Sequence, residues 1–508
     1  DTSQVVPFVT SIDFGYRWNE NSATNNEATN NVSFTNATRH WNRPSGDLFS
    51  DLLIAGPDNF NDGDGRRLYF PDFLVIDGGR AYDNPTQVLD SLNGAIAASN
   101  ASATIGDPIA SLETPTESAA GFFTIDETTN AAYLQTNFAT EIAGAPVRGN
   151  IGVRWVRTSL ESIGNNVSNG EAAGRIVEHS SYDFFLPRFN LTIQPTDDFL
   201  IRAGIARDIR RPDFDMLATS VSFGTSANSP VEVGNPALVP ETVWSFDLSG
   251  EYYFTPSSLI SIGVFHKKRT KLFAARQEDP APNLIDGQLN IDITPPCEDG
   301  GIYNPIANRN INNPVQGTGI CVPLASIFNV GGSTTQTGVE VAFQHDLSAW
   351  EDVLGFASGF GFIGNFTYQD TGGSADEYRD ADGPRNVFTL LGYPDSQDLI
   401  TLTNLSKRAY NATLFYDKYG LNARVRYTWR SSYVSEDSFF FGLPRINADR
   451  GQLNASVNYA VSDSVSVGVE GINLLREDAN QYCINNKSLL CFQGLTDRRL
   501  TAGVSVKF

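Results

Sequence analysis

Arg424, Arg426 and Arg430 recur at even spacing in LNARVRYTWR, so an extended strand puts them on one face with Asn422 and Thr428. Leu421, Ala423, Val425, Tyr427 and Trp429 then occupy the other face. Unpaired cations are too costly to desolvate inside a dry core. The row suits a wet wall, where it would attract anionic solutes or pair with carboxylates such as Glu340 and Glu470. A second set of candidate ligand groups is aromatic. Phe439, Phe440 and Phe441 in EDSFFFGLP, with Tyr378 and Tyr393 after Asp370, fall in loop segments. There they would stack on a ligand such as a sugar ring, or simply pack against neighbouring loops.

Bond-making chemistry finds little support. His40, His179, His266 and His345 are scattered, and no HExxH or GxSxG arrangement occurs. GFGFIG matches a dinucleotide string, but its Phe360, Phe362, Phe366 and Tyr368 alternate as in a strand, whereas the motif needs a helix to follow. Asp213 and Asp215 follow Arg-Pro at a loop start, where turn chemistry accounts for them. DNFNDGDG, from Asp58 to Gly65, places Phe60 where an EF-hand needs a ligand, so a solvated turn explains it better than a cation site. No enzyme, cofactor or metal is expected.

The four cysteines are Cys297, Cys321, Cys483 and Cys491, in polar stretches without CxxC spacing or a nearby His. Disulfides in an oxidising compartment are expected in preference to zinc. Three connectivities are open; local pairing, Cys297 with Cys321 and Cys483 with Cys491, is the expected one.

The elements that must position these residues read as strands. The chain of 508 residues has one Met, 44 Gly, 18 Tyr, 33 Phe and only 19% charged residues, a balance that favours strands joined by turns. A net charge of −22 argues against nucleic acid as a partner. No apolar run reaches the roughly eighteen residues of a transmembrane helix, but transmembrane strands need only about ten alternating residues. DTSQVVPFVT lacks the basic start and apolar core of a signal peptide, so the numbering is expected to begin at a mature or truncated end.

About fourteen alternating segments run from VVPFVTSIDFGYRWNE to RRLTAGVSVKF. Short connections (AGAP, PTDD, TPSS, DKYG, VSD) alternate with long ones near residues 21–118, 213–240, 271–330, 371–404 and 476–496. The longest is expected either to be functional or to fold as a small subdomain. A further loop is expected from Glu161 to Gly174. Segregating short turns to one end and long loops to the other is the habit of an outer-membrane barrel. The fold class expected is therefore all-β, an antiparallel transmembrane β-barrel over residues 1–508 with its long loops extracellular.

The final strand, ending at Phe508, resembles the closing strand of Gram-negative outer-membrane barrels, in which a terminal aromatic residue is part of an assembly signal. TTNAAYLQTNF with VRGNIGVRWVRTSL, RRPDFDML with GNPALVPETVWSFDLSGEYYF, and GINLLRED are similar to segments of TonB-dependent outer-membrane receptors, chiefly a proteobacterial subgroup linked to sugar uptake. The resemblance runs from Thr128 to Phe508. It implies a twenty-two-strand barrel of which this chain supplies fourteen, with plug domain and TonB box outside the sequence. It also implies an energised importer of a scarce nutrient, an oligosaccharide or a metal chelate, whose partners are outer-membrane lipid, periplasmic TonB and the barrel assembly machinery. The alternatives are a passive porin or structural barrel, and a soluble secreted all-β binding protein.

Overall fold

The computed structural model describes residues 8–507 except 27, 30–45, 57–72, 103–108, 115, 120, 169–170, 224–229, 279, 281–283, 286–287, 290–296, 298–299, 306, 308–318, 376–401, 439–442 and 486. Fourteen strands follow one another in one sheet: β1 (Val9–Asn25), β2 (Phe123–Ile142), β3 (Ala145–Ser168), β4 (Glu171–Thr196), β5 (Phe199–Arg210), β6 (Glu241–Thr255), β7 (Ser258–Thr270), β8 (Gly332–Asp346), β9 (Phe360–Ala375), β10 (Arg408–Lys418), β11 (Leu421–Arg430), β12 (Arg450–Ser462), β13 (Val465–Ile472) and β14 (Arg499–Val506). Spatial order equals sequence order, so the sheet is an up-and-down meander whose path ends at β1 and β14.

One face of this sheet is apolar and exposed. Leu248, Val264 and Val339 are direct cross-strand neighbours, 52%, 45% and 37% exposed. A water-soluble sheet would bury such a row; here it forms a belt continuing through Phe366, Leu414, Val425, Val457 and Val469. Aromatic clusters flank it. Trp244 stacks on Phe246 near one end of β6, and Phe254 stacks on Phe343 near the other. Ten residues separate Trp244 from Phe254. At about 3.4 Å per residue and a tilt of about 40°, that is a height of about 25 Å, the thickness of an outer-membrane apolar band. The opposite face is polar, and it carries the sequence-predicted arginines.

The glycines of GFGFIG answer to packing. Gly361 stands opposite Phe415, whose ring a Cβ would meet at 2.2 Å. Turns at one end are tight: Ala143–Gly144 and Tyr419–Gly420 have positive φ at both residues, the hairpin geometry that matches strand twist. The exception at that end is 347–359, which contains a helical turn, Glu351–Leu354.

Two expectations change at the other end. Within the loop expected over Glu161–Gly174 the described residues are strand, because β3 runs to Ser168 and β4 begins at Glu171. Several long connections also build sheets of their own. Leu272–Glu278 pairs with Leu324–Val330, and Tyr433–Ser438, Pro444–Asn447, Ala479–Tyr482 and Leu490–Gly494 form a four-stranded sheet.

Residues 24–123 with 165–174 form a separate compact unit. Helix α1 (Gly78–Asp83) is capped by the Asp77 carboxylate, and α2 (Pro85–Ser102) begins on proline, whose missing N–H a first turn does not need. Asn93 and Asn100, on one face of α2, each exchange two hydrogen bonds with a backbone segment, at Leu112 and Ile109.

Candidate functional site

Strands β9 to β12 converge polar side chains toward the long-loop end. Asn365, Thr367 and Gln369 come from β9, Asn411 from β10, Thr428 and Arg430 from β11, and Arg450 and Gln452 from β12. With Asn404, Leu405 and Ser406 of the preceding loop they line a cavity of about 480 Å³. Strand alternation makes this cluster possible, because residues two apart share a face and antiparallel register aligns them across strands.

A hydrogen-bonded chain braces the cavity. Arg269 donates to Gln336 (3.3 Å), Gln336 to Gln369 (2.7 Å), and Gln369 to the carbonyl of Ser406 (2.8 Å). The Ser406 hydroxyl accepts from Arg430 Nε at 2.7 Å and donates to the Ser431 carbonyl at 2.7 Å. Arg430 also donates to the Asn404 carbonyl at 3.1 Å and lies 3.9 Å above the Tyr433 ring. Asn365 donates to Asn411 at 3.1 Å on the same wall.

Arg430 and Arg450 are direct cross-strand partners in the register. Like charges so placed repel, by about 1–3 kcal/mol between the dielectric of water and that of a protein surface. Arg450 donates to the Glu477 carbonyl at 3.4 Å, and its Nε is buried without a hydrogen-bond partner. Among the described residues neither guanidinium has a carboxylate within ion-pair distance. The nearby Asp449 is taken by Lys487 at 3.6 Å.

A second cavity, of about 520 Å³ on β2 to β5, is lined by Arg154, Arg188, Arg207 and Arg211 with Thr129, Gln135 and Asp208. Two of its four cations are neutralised by carboxylates. Arg211 pairs with the buried Glu127 at 3.3 Å, Arg188 with Asp208 at 3.5 Å, and Arg207 donates to the Phe185 carbonyl at 3.2 Å. Arg154 and Arg207 have no carboxylate partner among the described residues, and Arg207 Nε is buried without a hydrogen-bond partner. What sets the first cavity apart is that its two cations are direct cross-strand partners with no carboxylate in the lining.

Of the sequence-predicted groups, Arg430 lines the first cavity, while Arg424 and Arg426 lie further down the same strand face, exposed. Among the described residues these two have no ion pair or hydrogen-bond partner, and neither Glu340 nor Glu470 pairs with them. Tyr378, Tyr393, Phe439, Phe440, Phe441, Phe508 and the segment 58–65 lie outside the described residues. Disulfides join Cys297 to Cys321 and Cys483 to Cys491. Arg450 escaped the sequence reading. Its signal was there in Arg450, Gln452, Asn454 and Ser456, a polar alternation continuing the arginine face of β11.

An up-and-down antiparallel sheet with an exposed apolar belt, aromatic edges, a polar opposite face and loops segregated by length is the wall of an outer-membrane β-barrel. The family model described as TonB dependent receptor-like, beta-barrel matches residues 4–474. The chain belongs to that family. A comparison with curated proteins finds no match. Solved structures of similar fold include a mutant ferric enterobactin receptor, PfeA, from Pseudomonas aeruginosa, with 13% identity and TM-score 0.43, covering 76% of this chain and 55% of that one. The siderophore receptor PirA from Acinetobacter baumannii has 15% identity and TM-score 0.46, with 80% and 57% covered. The ferric-catecholate import receptor Fiu from K12 E. coli has 12% identity and TM-score 0.47, with 79% and 49% covered. The chain thus spans about half to three-fifths of the length of these receptors.

Proposed function

We propose that this chain is the barrel portion of an energised importer in a bacterial outer membrane. Ligand binds at the long-loop end, and periplasmic TonB, acting through a plug outside the sequence, opens a path. The observation that carries this reading is the family match over residues 4–474, which agrees with the belt and polar wall of the fourteen-strand meander. The chemistry is binding and displacement, with no bond made or broken. The loops near 21–118, 213–240, 271–330, 371–404 and 476–496 face outside the cell, and the Cys297–Cys321 and Cys483–Cys491 disulfides staple two of them. Lipid contacts the belt, and the barrel assembly machinery inserts the chain through its Phe508 end. The cargo is a scarce nutrient, an oligosaccharide or a metal chelate. In cells carrying the full-length receptor, uptake of its cargo should collapse on deletion of TonB. Undiminished uptake would instead make the chain a passive porin.

A further inference from the structure

We infer that Arg430 and Arg450 form an anion-binding site on the polar wall, so that the cargo carries a carboxylate, phosphate or sulfate group. This deepens the importer reading and rests on it for the word cargo, but the site itself does not need it. Two cations placed as direct cross-strand partners is an arrangement that a sheet avoids unless something neutralises it. Within the described residues nothing does. The Arg430 guanidinium spends Nε and one Nη on Ser406 and Asn404 and rests on Tyr433, which orients it without cancelling its charge. Arg450 Nε is buried and unpartnered, a donor already stripped of water.

The surroundings complete a site for an oxyanion. Asn411, Gln452 and Thr428 add neutral polar groups to the same cavity, where they would hydrogen-bond the oxygens or hydroxyls next to the charged group. A planar guanidinium pair meets two oxygens of one oxyanion, the geometry in which arginine surpasses lysine. The arginine face then continues. Arg426 and Arg424 follow Arg430 at four and six residues along β11, exposed and unpartnered among the described residues. At about 3.3 Å per residue that spaces the next cations about 13 and 20 Å down the wall. An anion released from the first pair meets further positive charge along the wall, so the row favours passage as well as capture.

The test uses the full-length receptor in detergent micelles and inorganic phosphate as probe, at constant ionic strength made up with chloride. Wild type should bind phosphate saturably. Arg430→Gln with Arg450→Gln should weaken binding at least tenfold. Arg202→Gln, which removes a cation already paired with Glu251 at 2.7 Å, should leave it unchanged. Should the double variant fail to fold, wild type still decides: phosphate should protect Arg430 and Arg450 from an arginine-selective dicarbonyl reagent, mapped by peptide mass. Absence of saturable binding by wild type, equal binding by the double variant, or no protection overturns the site. Phosphate binding by a receptor whose uptake ignores TonB would remove the importer reading and leave the site standing.

Discussion

At the scale of single residues, this barrel sorts its charges by whether they are already satisfied. Glu127, with only 5% of its side chain exposed, is met by Arg211 at 3.3 Å, and Arg211 also donates to Thr129 at 3.2 Å. Removing one partner of such a pair leaves a desolvated charge behind, which costs more than the pair was worth. Arg211→Ala should therefore destabilise the folded barrel by about 2–4 kcal/mol, somewhat under the fully buried range because Arg211 itself is partly exposed. Adding Glu127→Gln to that variant should recover more than half of the loss. Guanidinium midpoints of the three proteins in micelles measure both steps, and no recovery would mean that packing, not charge, sets the cost. Arg188–Asp208, at 3.5 Å with both side chains more than half exposed, should give less than about 1 kcal/mol in the same assay.

At the scale of elements, the hairpin turns are where local chemistry is most easily separated from packing. Gly144 has φ +84° and open space where a Cβ would go, so Gly144→Ala tests backbone strain alone and should cost about 1–2 kcal/mol. Ala143, with φ 52°, already bears that strain, and Ala143→Asn should relieve part of it, raising stability by up to about 1 kcal/mol. Opposite shifts in the unfolding midpoints would confirm the turn type. These same turns were legible in the sequence because two-residue connections leave no room for other structure, and the fourteen strands were legible because each keeps one apolar face. The extension of β3 to Ser168 and the start of β4 at Glu171 were not, since Glu161, Asn165, Asn166 and Glu171 carry no apolar alternation. Burial helps to hold β3 there, since Ser162 and Val167 are 0% and 1% exposed. Helix α2 was missed as well, although Leu92, Ala95, Ile96 and Ser99 show helical spacing behind Pro85. A long polar stretch hid a short periodic one. The candidate site was half legible. Arg430 announced itself by periodicity, but its partner Arg450 depends on register between β11 and β12, which only pairing defines.

At the scale of the whole molecule, the decisive feature is that the meander exposes a continuous band of large apolar side chains. A soluble all-β binding protein would leave that band facing water, whereas in a bilayer it is the surface that matches the solvent. The consequence is an asymmetry between neighbouring positions that only a membrane imposes. Val264 lies mid-belt between Leu248 and Val339, while Ala342 lies on the polar face of the adjoining strand, opposite Ser261 and Asn365. Val264→Arg puts a cation into hydrocarbon and should lower the stability of the lipid-inserted barrel by about 2–4 kcal/mol. Ala342→Lys keeps its cation in water and should change it by less than about 1 kcal/mol. Reversible unfolding from phospholipid vesicles reads both values. In detergent, where the apolar layer is thin and deformable, the gap between the two variants should shrink. Equal effects in vesicles would mean that the exposed face of the meander does not meet lipid at all.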